Sequence, residues 1–480
     1  MRVVSNLILL STFLAVNISR AEPVELLPQR ITLPAGAGKP LFVDIDGSGR
    51  CSLLVIDPVQ HTLLNYPQHP DGFSRTPEQV IPLPAQTAWV AVDDIDAHLG
   101  LELLMSTATG LVYSRQNDSR FETERRPLIE VKQVFTNCDL PPLTLLATNL
   151  SGPNGVIPVI SAGQVVWYHR DSAYEWSPGS PLALITNQTS WSSNPDQWFD
   201  SWALGPSPAH RLGIQQSWQA ESGAPRDEDS DNETIRKIVA DMKKAPKTSP
   251  PKVEHVDIDG DGREDVFVWQ VSGFMDYKTD LYLFLRKADQ SLPEQPTCVL
   301  HCRGLPLPSG PGYRWSPMQD LHGDGIYELV LLEFKTRIMS GSGLLETVMS
   351  HGLDWALTIR SFHHDGFAHS PDASIPVTAF LPGEVLGGWP FFFQGDFNGD
   401  GRPDLLIRRS DTQWNIFLST TDGHWFTPQP AMTFEVPAQG YIEIKDLNGD
   451  GLSDVIWHEL NQPNLYIFLS PPRPAKDKNP

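Results

Sequence analysis

The chain has 480 residues, with 58 acidic side chains against 36 basic ones and a formal net charge of −22 at pH 7. A surface of that sign repels polyanions, which makes nucleic acid and anionic lipid poor partners. Length alone suggests about three domains, but one acidic motif recurs along almost the whole chain and argues for a single large architecture.

Residues 1–21, MRVVSNLILLSTFLAVNISRA, place Arg2 before an apolar core and end on small residues at Ser19 and Ala21. This is the pattern of a cleavable export signal, cut after Ala21. Cleavage removes Arg2 and Arg20 and no acid, so the mature chain is more negative still. No later stretch approaches the roughly 20 consecutive apolar residues of a membrane anchor. The expectation is a secreted, periplasmic or cell-surface protein without a transmembrane anchor.

After a first strand-like run, VELLPQRITLPAG from Val24, the motif appears as VDIDGSGRCSLLVID, with Asp44, Asp46, Ser48 and Ser52 at positions 1, 3, 5 and 9. DDIDAHLGLELLM follows with Asp94, Asp96, His98 and Glu102, and then ATNLSGPNGVIPVIS, which keeps the turn but has lost its carboxylates. Between them and the next copy, ESGAPRDEDSDNETIRKIVADMKKAPKTSPP offers a capping pair in Ser230 and Glu233 and apolar residues Ile235, Ile238, Val239 and Met242 at helical spacing. Residues of about 219–252 therefore read as an inserted helix that Pro246 ends. A complete copy comes next: Asp257, Asp259, Asp261 and Asp265. QDLHGDGIYELVLL supplies Asp320, His322, Asp324 and Glu328. Two more complete copies follow, with Asp396, Asn398, Asp400 and Asp404, and with Asp446, Asn448, Asp450 and Asp454.

Crowded carboxylates raise one another's pKa unless a cation joins them. Oxygen donors at positions 1, 3, 5 and 9, with the backbone carbonyl at position 7 (Arg263, Arg402 and Leu452), suit calcium, which takes about 6–8 oxygens in a flexible geometry. Glycines such as Gly399 and Gly401 allow the positive φ such a turn needs. An EF-hand would add a glutamate at position 12 and flanking helices, whereas here each ninth position opens a short apolar run (DVFVWQ, DLLIRR, DVIWHE) that reads as a strand. His98 and His322, where oxygen is expected, mark weakened or ion-free loops.

First positions fall at 44, 94, 149, 257, 320, 396 and 446. Most intervals hold one four-stranded unit, the blade of a propeller; the one from 149 to 257 is about twice as long and leaves room for an eighth turn near Gly205 and Pro208. The unit ending in NLYIFLS lacks an outermost strand, and VELLPQRITLPAG matches one, so the two chain ends are expected to share a blade.

The turn D-x-[DN]-G-D-G-x-x-D at this spacing resembles the FG-GAP and VCBS repeats of the integrin alpha-subunit head and of many secreted microbial proteins. The phenylalanine-glycine and glycine-alanine-proline signature of the integrin repeats is not visible, which favours the VCBS-like branch. The resemblance implies an all-β, seven-bladed β-propeller over residues 22–473, eight blades being the alternative, with a polar tail at 474–480. It also implies structural Ca2+ between the first two strands of several blades: in the three complete loops and, by extension, at Asp94, Asp96 and Glu102 and at Asp320, Asp324 and Glu328.

Other features carry less. Cys51, Cys138, Cys298 and Cys302 allow disulfides in an exported chain, and CVLHC lacks the second half of a zinc signature. Trp191, Trp198, Trp202 and Trp218 cluster near the insertion, and His363 and His364 sit at an apparent hairpin tip. There is no G-x-S-x-G, no H-E-x-x-H and no phosphate-binding glycine loop. The expected function is a non-catalytic binding or adhesion scaffold for an extracellular protein or carbohydrate ligand; the alternative is a carbohydrate-active enzyme, a polysaccharide lyase or glycosidase, or a lectin on the same fold.

Overall fold

The computed structural model describes residues 23–131, 144–147, 156–183, 251–335, 352–380 and 391–471, apart from a few positions inside those ranges, together with Glu233, Arg236, Lys237 and Asp241. Those four are helical and exposed. The export signal, the Asn149 turn, the four tryptophans near the insertion, the region of Gly205 and Pro208, and the C-terminal tail lie outside the described residues.

The described chain is all-β and propeller-like, built from small antiparallel sheets that follow one another in sequence. Strands Leu41–Val43, Ser52–Asp57, Thr62–Tyr66 and Gln79–Pro82 pair in that order. The same order recurs in Trp89–Asp93, Glu102–Thr107, Gly110–Ser114 and Arg126–Glu130. It recurs again in Lys252–Val256, Asp265–Ser272, Lys278–Phe284 and Cys298–Arg303, and in Met318–Gln319, Glu328–Phe334, Gly352–Arg360 and Ala373–Phe380. Phe391–Phe393, Leu405–Arg408, Gln413–Phe417 and Met432–Glu435 repeat it once more. In each of these sheets the acidic turn joins the first strand to the second.

Burial explains the sequence patterns. The second strands are covered on both faces, so Ser52–Asp57 and Glu102–Thr107 are buried at every position and read as unbroken apolar runs rather than alternating ones. Fourth strands alternate, as in Met432–Glu435, where Met432 and Phe434 are buried and Glu435 is exposed. Face-to-face packing joins successive sheets. Trp414 and Phe434 of one sheet pack with Ile442 and Trp457 of the next, and Ile45, Leu54 and Ile56 pack with Val90, Leu103 and Met105.

The last sheet joins the two ends of the chain. Gly440–Lys445, Asp454–Glu459 and Asn464–Phe468 are completed by Gln29–Thr32, which pairs antiparallel with Ile31 opposite Leu465. Ile31 then packs with Ile456 and Ile467 on its own sheet and with Phe42, Leu53 and Val55 of the first. A polar bridge covers the same seam: the Asn464 side-chain oxygen accepts from Thr32 Oγ1 at 3.0 Å and from Arg30 Nη2 at 3.2 Å. Just upstream, Val24–Leu26 adds parallel to Met432–Glu435, so the N-terminal segment straddles two sheets. Among the described residues no helix is long and apolar enough to cross a membrane.

Ile31 is 1% exposed, so Ile31→Ala should lower unfolding free energy by about 2–5 kcal/mol, the range for truncating a buried aliphatic side chain. Denaturant unfolding measures it. A loss below about 1 kcal/mol would mean that the N-terminal strand is not seated as described.

Candidate metal centres

Five of the acidic turns share one construction. The carboxylate at position 1 curls the loop back on itself by accepting backbone N–H groups from further along: Asp257 from Asp261 at 3.0 Å and Gly262 at 2.7 Å, and Asp396 from Asp400 at 3.1 Å and Gly401 at 2.7 Å. Asp446 accepts from Gly449 and Gly451, Asp320 from Asp324 and Gly325, and Asp44 from Ser48 and Gly49. Such a hairpin of amides needs glycine where φ turns positive, as at Gly399 (70°) and Gly401 (84°).

The ninth residue has a different role. Asp265, Asp404 and Asp454 are fully buried at the head of the second strand, and both oxygens of each are held by backbone donors. Asp404 accepts from Phe397 N at 2.7 Å and Ser419 N at 2.8 Å. Asp454 accepts from Leu447 N and Ser470 N, and Asp265 from Ile258 N and Arg286 N. One donor is always the residue at position 2; the other lies just past the third strand. Burial pushes the Asp404 and Asp454 carboxyls up to about 7 against the opposing pull of those N–H groups, with the neighbouring loop acids adding to the rise. Asp265 is raised by the same causes.

Among the described residues, three carboxylates converge closely enough to share an ion: donor oxygens of Asp257, Asp259 and Asp265 all lie within 4.8 Å of one another. Desolvation, and then the Asp257 charge, raise the Asp259 carboxyl, the behaviour of an acid group without its counter-charge. An all-oxygen, anionic and partly exposed set of this kind fits a hard divalent cation. Asp261, at position 5, instead accepts from Arg263 N at 3.0 Å and pairs with the Arg263 guanidinium. In the other two complete loops the amide at position 3 faces the acid at position 5: Asn398 Nδ2 donates to Asp400 at 3.2 Å and Asn448 Nδ2 to Asp450 at 3.0 Å. Backbone N–H groups of Arg402 and Leu452 donate to Asp400 and Asp450, which leaves the carbonyls at position 7 unspent in those bonds.

The incomplete loops are neutralised in other ways. Glu328 accepts from Leu321 N at 2.8 Å, and its second oxygen lies 2.7 Å from His322 Nδ1; burial raises the Glu328 carboxyl. In the Asp94 loop, Asp96 accepts from Arg115 Nε at 2.7 Å and from His98 N at 2.9 Å. Against the upward push of burial, these donors hold Asp96 below the usual carboxylate range. Asp94 lies 3.7 Å from the guanidinium of Arg170, the last residue of strand Gln164–Arg170 in the following sheet, and its carbonyl accepts from the same side chain. Glu102 keeps the position-2 donor, Ile95 N, at 2.7 Å. Its other oxygen is buried without a hydrogen bond, and burial pushes the carboxyl up to about 7. Two arginines thus stand beside acids that the sequence assigns to calcium.

Cys298 and Cys302 lie on one strand, with His301 exposed between them and directed to Asp280 at 2.8 Å, so CVLHC does not converge on a point. Cys51, Cys298 and Cys302 are free thiols. Four strand residues put Cys298 and Cys302 roughly 13 Å apart, beyond the about 7 Å reach of a disulfide; Cys138 lies outside the described residues. His363 and His364 do occupy a hairpin tip, between Phe362 and Phe367. Sequence reasoning passed over the apolar residue at position 2 (Ile45, Ile95, Ile258, Leu321, Phe397 and Leu447), buried in every one of these loops. Its regular recurrence was the available signal. Arg115 and Arg170 had none, because their partners are remote in sequence.

Asp404→Ala strands two buried N–H donors, so it should destabilise the protein by about 2–5 kcal/mol even without metal, whereas Asp400→Ala, at an exposed position, should cost little under the same conditions. Denaturant melts in excess chelator compare them. A second expectation concerns pH. Asp404 and Asp454 hold their protons up to about 7 in the folded, ion-free chain but release them near the ordinary aspartate value of 3.8 when unfolded. The folded state binds more protons across that window, so ion-free stability should fall as pH rises from about 5 to about 8. A saturating cation, which requires the charged forms, should flatten that fall. A rising ion-free melting temperature would contradict the burial cost.

No curated protein matches the chain. Among solved structures, the complex of BBS1N with ARL6DN soaked with mercury aligns over 94% of this chain and 96% of that chain, at 7% identity and a TM-score of 0.28. A lectin of Agrocybe aegerita, described as recognising non-reducing terminal N-acetylglucosamine, aligns over 90% of this chain and 75% of that chain, at 10% identity and a TM-score of 0.19. Scores this low bear on neither fold nor ligand. The segment that begins at Asp396 and runs through the second complete turn, the Asp454 strand and the strand that receives the N-terminus is a different matter: residues 396–468 match the FG-GAP-like repeat.

Proposed function

We propose that the chain is a secreted, calcium-stabilised seven-bladed β-propeller that serves as a non-catalytic binding or adhesion scaffold for an extracellular protein or glycan. The observation that carries this reading is the recurrence of one acidic turn between the first and second strands of successive sheets, with donor oxygens of Asp257, Asp259 and Asp265 gathered within 4.8 Å. The FG-GAP-like repeat at residues 396–468 supports it, because such repeats point to a binding-type propeller. The sheet that unites Gln29–Thr32 with Asn464–Phe468 supports a ring closed by both chain ends. Calcium joins the half-buried oxygen donors at positions 1 and 3 and the exposed acid at position 5 to the buried acid at position 9 and so fixes the turn to the strand. A scaffold of this kind offers a rigid surface and asks for no nucleophile.

Heat unfolding across a calcium titration is the first test. Binding to the folded state alone raises the melting temperature with ion concentration, and Asp261→Ala or Asp400→Ala should diminish that rise. Melting unchanged between excess chelator and millimolar calcium would remove the structural ion. The calcium-loaded protein should then retain members of a glycan array or an extracellular protein panel that the chelated protein releases; turnover of a polysaccharide instead would replace the scaffold by an enzyme.

A further inference from the structure

The acidic turns are not separate. Among the described residues, each is hydrogen-bonded to the turn of a neighbouring sheet, in three of five links through residues that lie between its own donor positions. The N–H at position 8 of one loop donates to the carbonyl at position 2 of the loop before it: Tyr327 to Ile258 at 3.0 Å, Cys51 to Leu447 at 2.7 Å and Leu101 to Ile45 at 2.9 Å. Ser453, at position 8, donates instead to the position-1 carbonyl, that of Asp396, at 2.8 Å, and its hydroxyl oxygen accepts from Asp396 N at 2.9 Å. The Asp396 loop has proline, Pro403, at position 8 and so no N–H to give. There the adjacent Arg402 side chain takes over, its Nε donating to the carbonyl of His322 at 3.1 Å. The contact is preserved where the usual donor is missing.

Glycine makes room for the approach. A Cβ on Gly323 would stand 2.3 Å from the carbonyl oxygen of Gly401 in the next loop, and one on Gly449 would stand 2.5 Å from that of Gly49. Gly325 and Gly451, two residues further on in the same loops and equally at positive φ, would meet nothing within 4 Å. Gly323 and Gly449, both at position 4, are therefore required by the neighbouring loop and not only by their own turn, whereas a Cβ on Gly47 at the same position would meet nothing within 4 Å. The Leu447–Cys51 bond carries the row across the seam between the last and the first sheet.

We propose that these loops take up cations cooperatively, as one belt, rather than as independent sites. This rests on the calcium reading above. An ion that fixes positions 1 and 3 of one loop also fixes the backbone carbonyls from position 1 to position 3, and one of those carbonyls orients the stretch of the next loop that bears positions 7 and 9. The coupling is reciprocal, since a hydrogen bond that transmits order in one direction transmits it in the other.

Hydrogen exchange of the full chain, followed by mass spectrometry across a calcium chloride titration, tests this with peptides that report separately on residues 257–265, 396–404 and 446–454. The expected result is protection of all three along one steep curve. Gly323→Ala should shift the midpoint of the Asp396 loop by about fivefold or more, while Gly325→Ala, with the same backbone strain but no neighbour, should leave it within about twofold. If Gly323→Ala does not fold, Arg402→Met removes the donor to His322 without altering the backbone and should move the midpoints of the Asp320 and Asp396 loops apart. Protection along three independent curves, or equal effects of the two glycine variants, overturns the cooperative belt alone. Absence of protection at every calcium concentration overturns the calcium reading and the belt together.

Discussion

A carboxylate buried at the head of a strand is the constraint from which the rest of this protein follows. Removing an ionised acid from water is expensive unless hydrogen bonds replace the lost solvation, and in Asp265, Asp404 and Asp454 two backbone donors each offset only part of that cost. Because one donor sits in the acidic turn and the other beyond the third strand, a single side chain ties three parts of a sheet together. The apolar residue at position 2 faces inward, its N–H offered to the acid and its side chain to the core. Positions 1, 3 and 5 are left at the surface, where an ion can reach them.

The same constraint explains how the loops diverge. A glutamate at position 9 still reaches the position-2 donor, as Glu102 and Glu328 do, but its longer side chain turns the second oxygen elsewhere. In Glu328 that oxygen finds His322; in Glu102 it finds no hydrogen bond. In the Asp94 loop guanidinium groups stand beside the acids, Arg115 from just past the third strand of the same sheet and Arg170 from the following one. The fold keeps the turn and changes what balances its charge.

Packing between sheets imposes a second demand on those turns. Each sheet has apolar residues on both faces, so neighbours must approach until Trp414 meets Trp457 and Ile31 meets Val55. At that distance the turns also touch, and only a residue without a side chain fits at Gly323 or Gly449. The glycines thus serve two requirements at once, a positive φ within the loop and a close approach between loops. The N-terminal strand is held to the last sheet by side chains as well as by backbone pairing, with Thr32 and Arg30 donating to Asn464.

Much of this was legible in the chain. Acid, amide and glycine at fixed spacing, followed by DVFVWQ, DLLIRR or DVIWHE, announced a turn leading into a strand, and the missing outer strand after NLYIFLS announced its replacement from within VELLPQRITLPAG, where Gln29–Thr32 supplies it. These features are local, because a turn and a strand period are set by neighbouring residues. The sequence could not say that Asp404 is a buried anchor while Asp400 is exposed, since both are aspartates in one loop and only the path of the third strand brings Ser419 N to the first. Nor could it say that Arg170 stands beside Asp94, or that the Tyr327 amide meets the Ile258 carbonyl. Those pairings join residues far apart in the chain, and distance in three dimensions, which packing of whole sheets decides, is not written in local pattern.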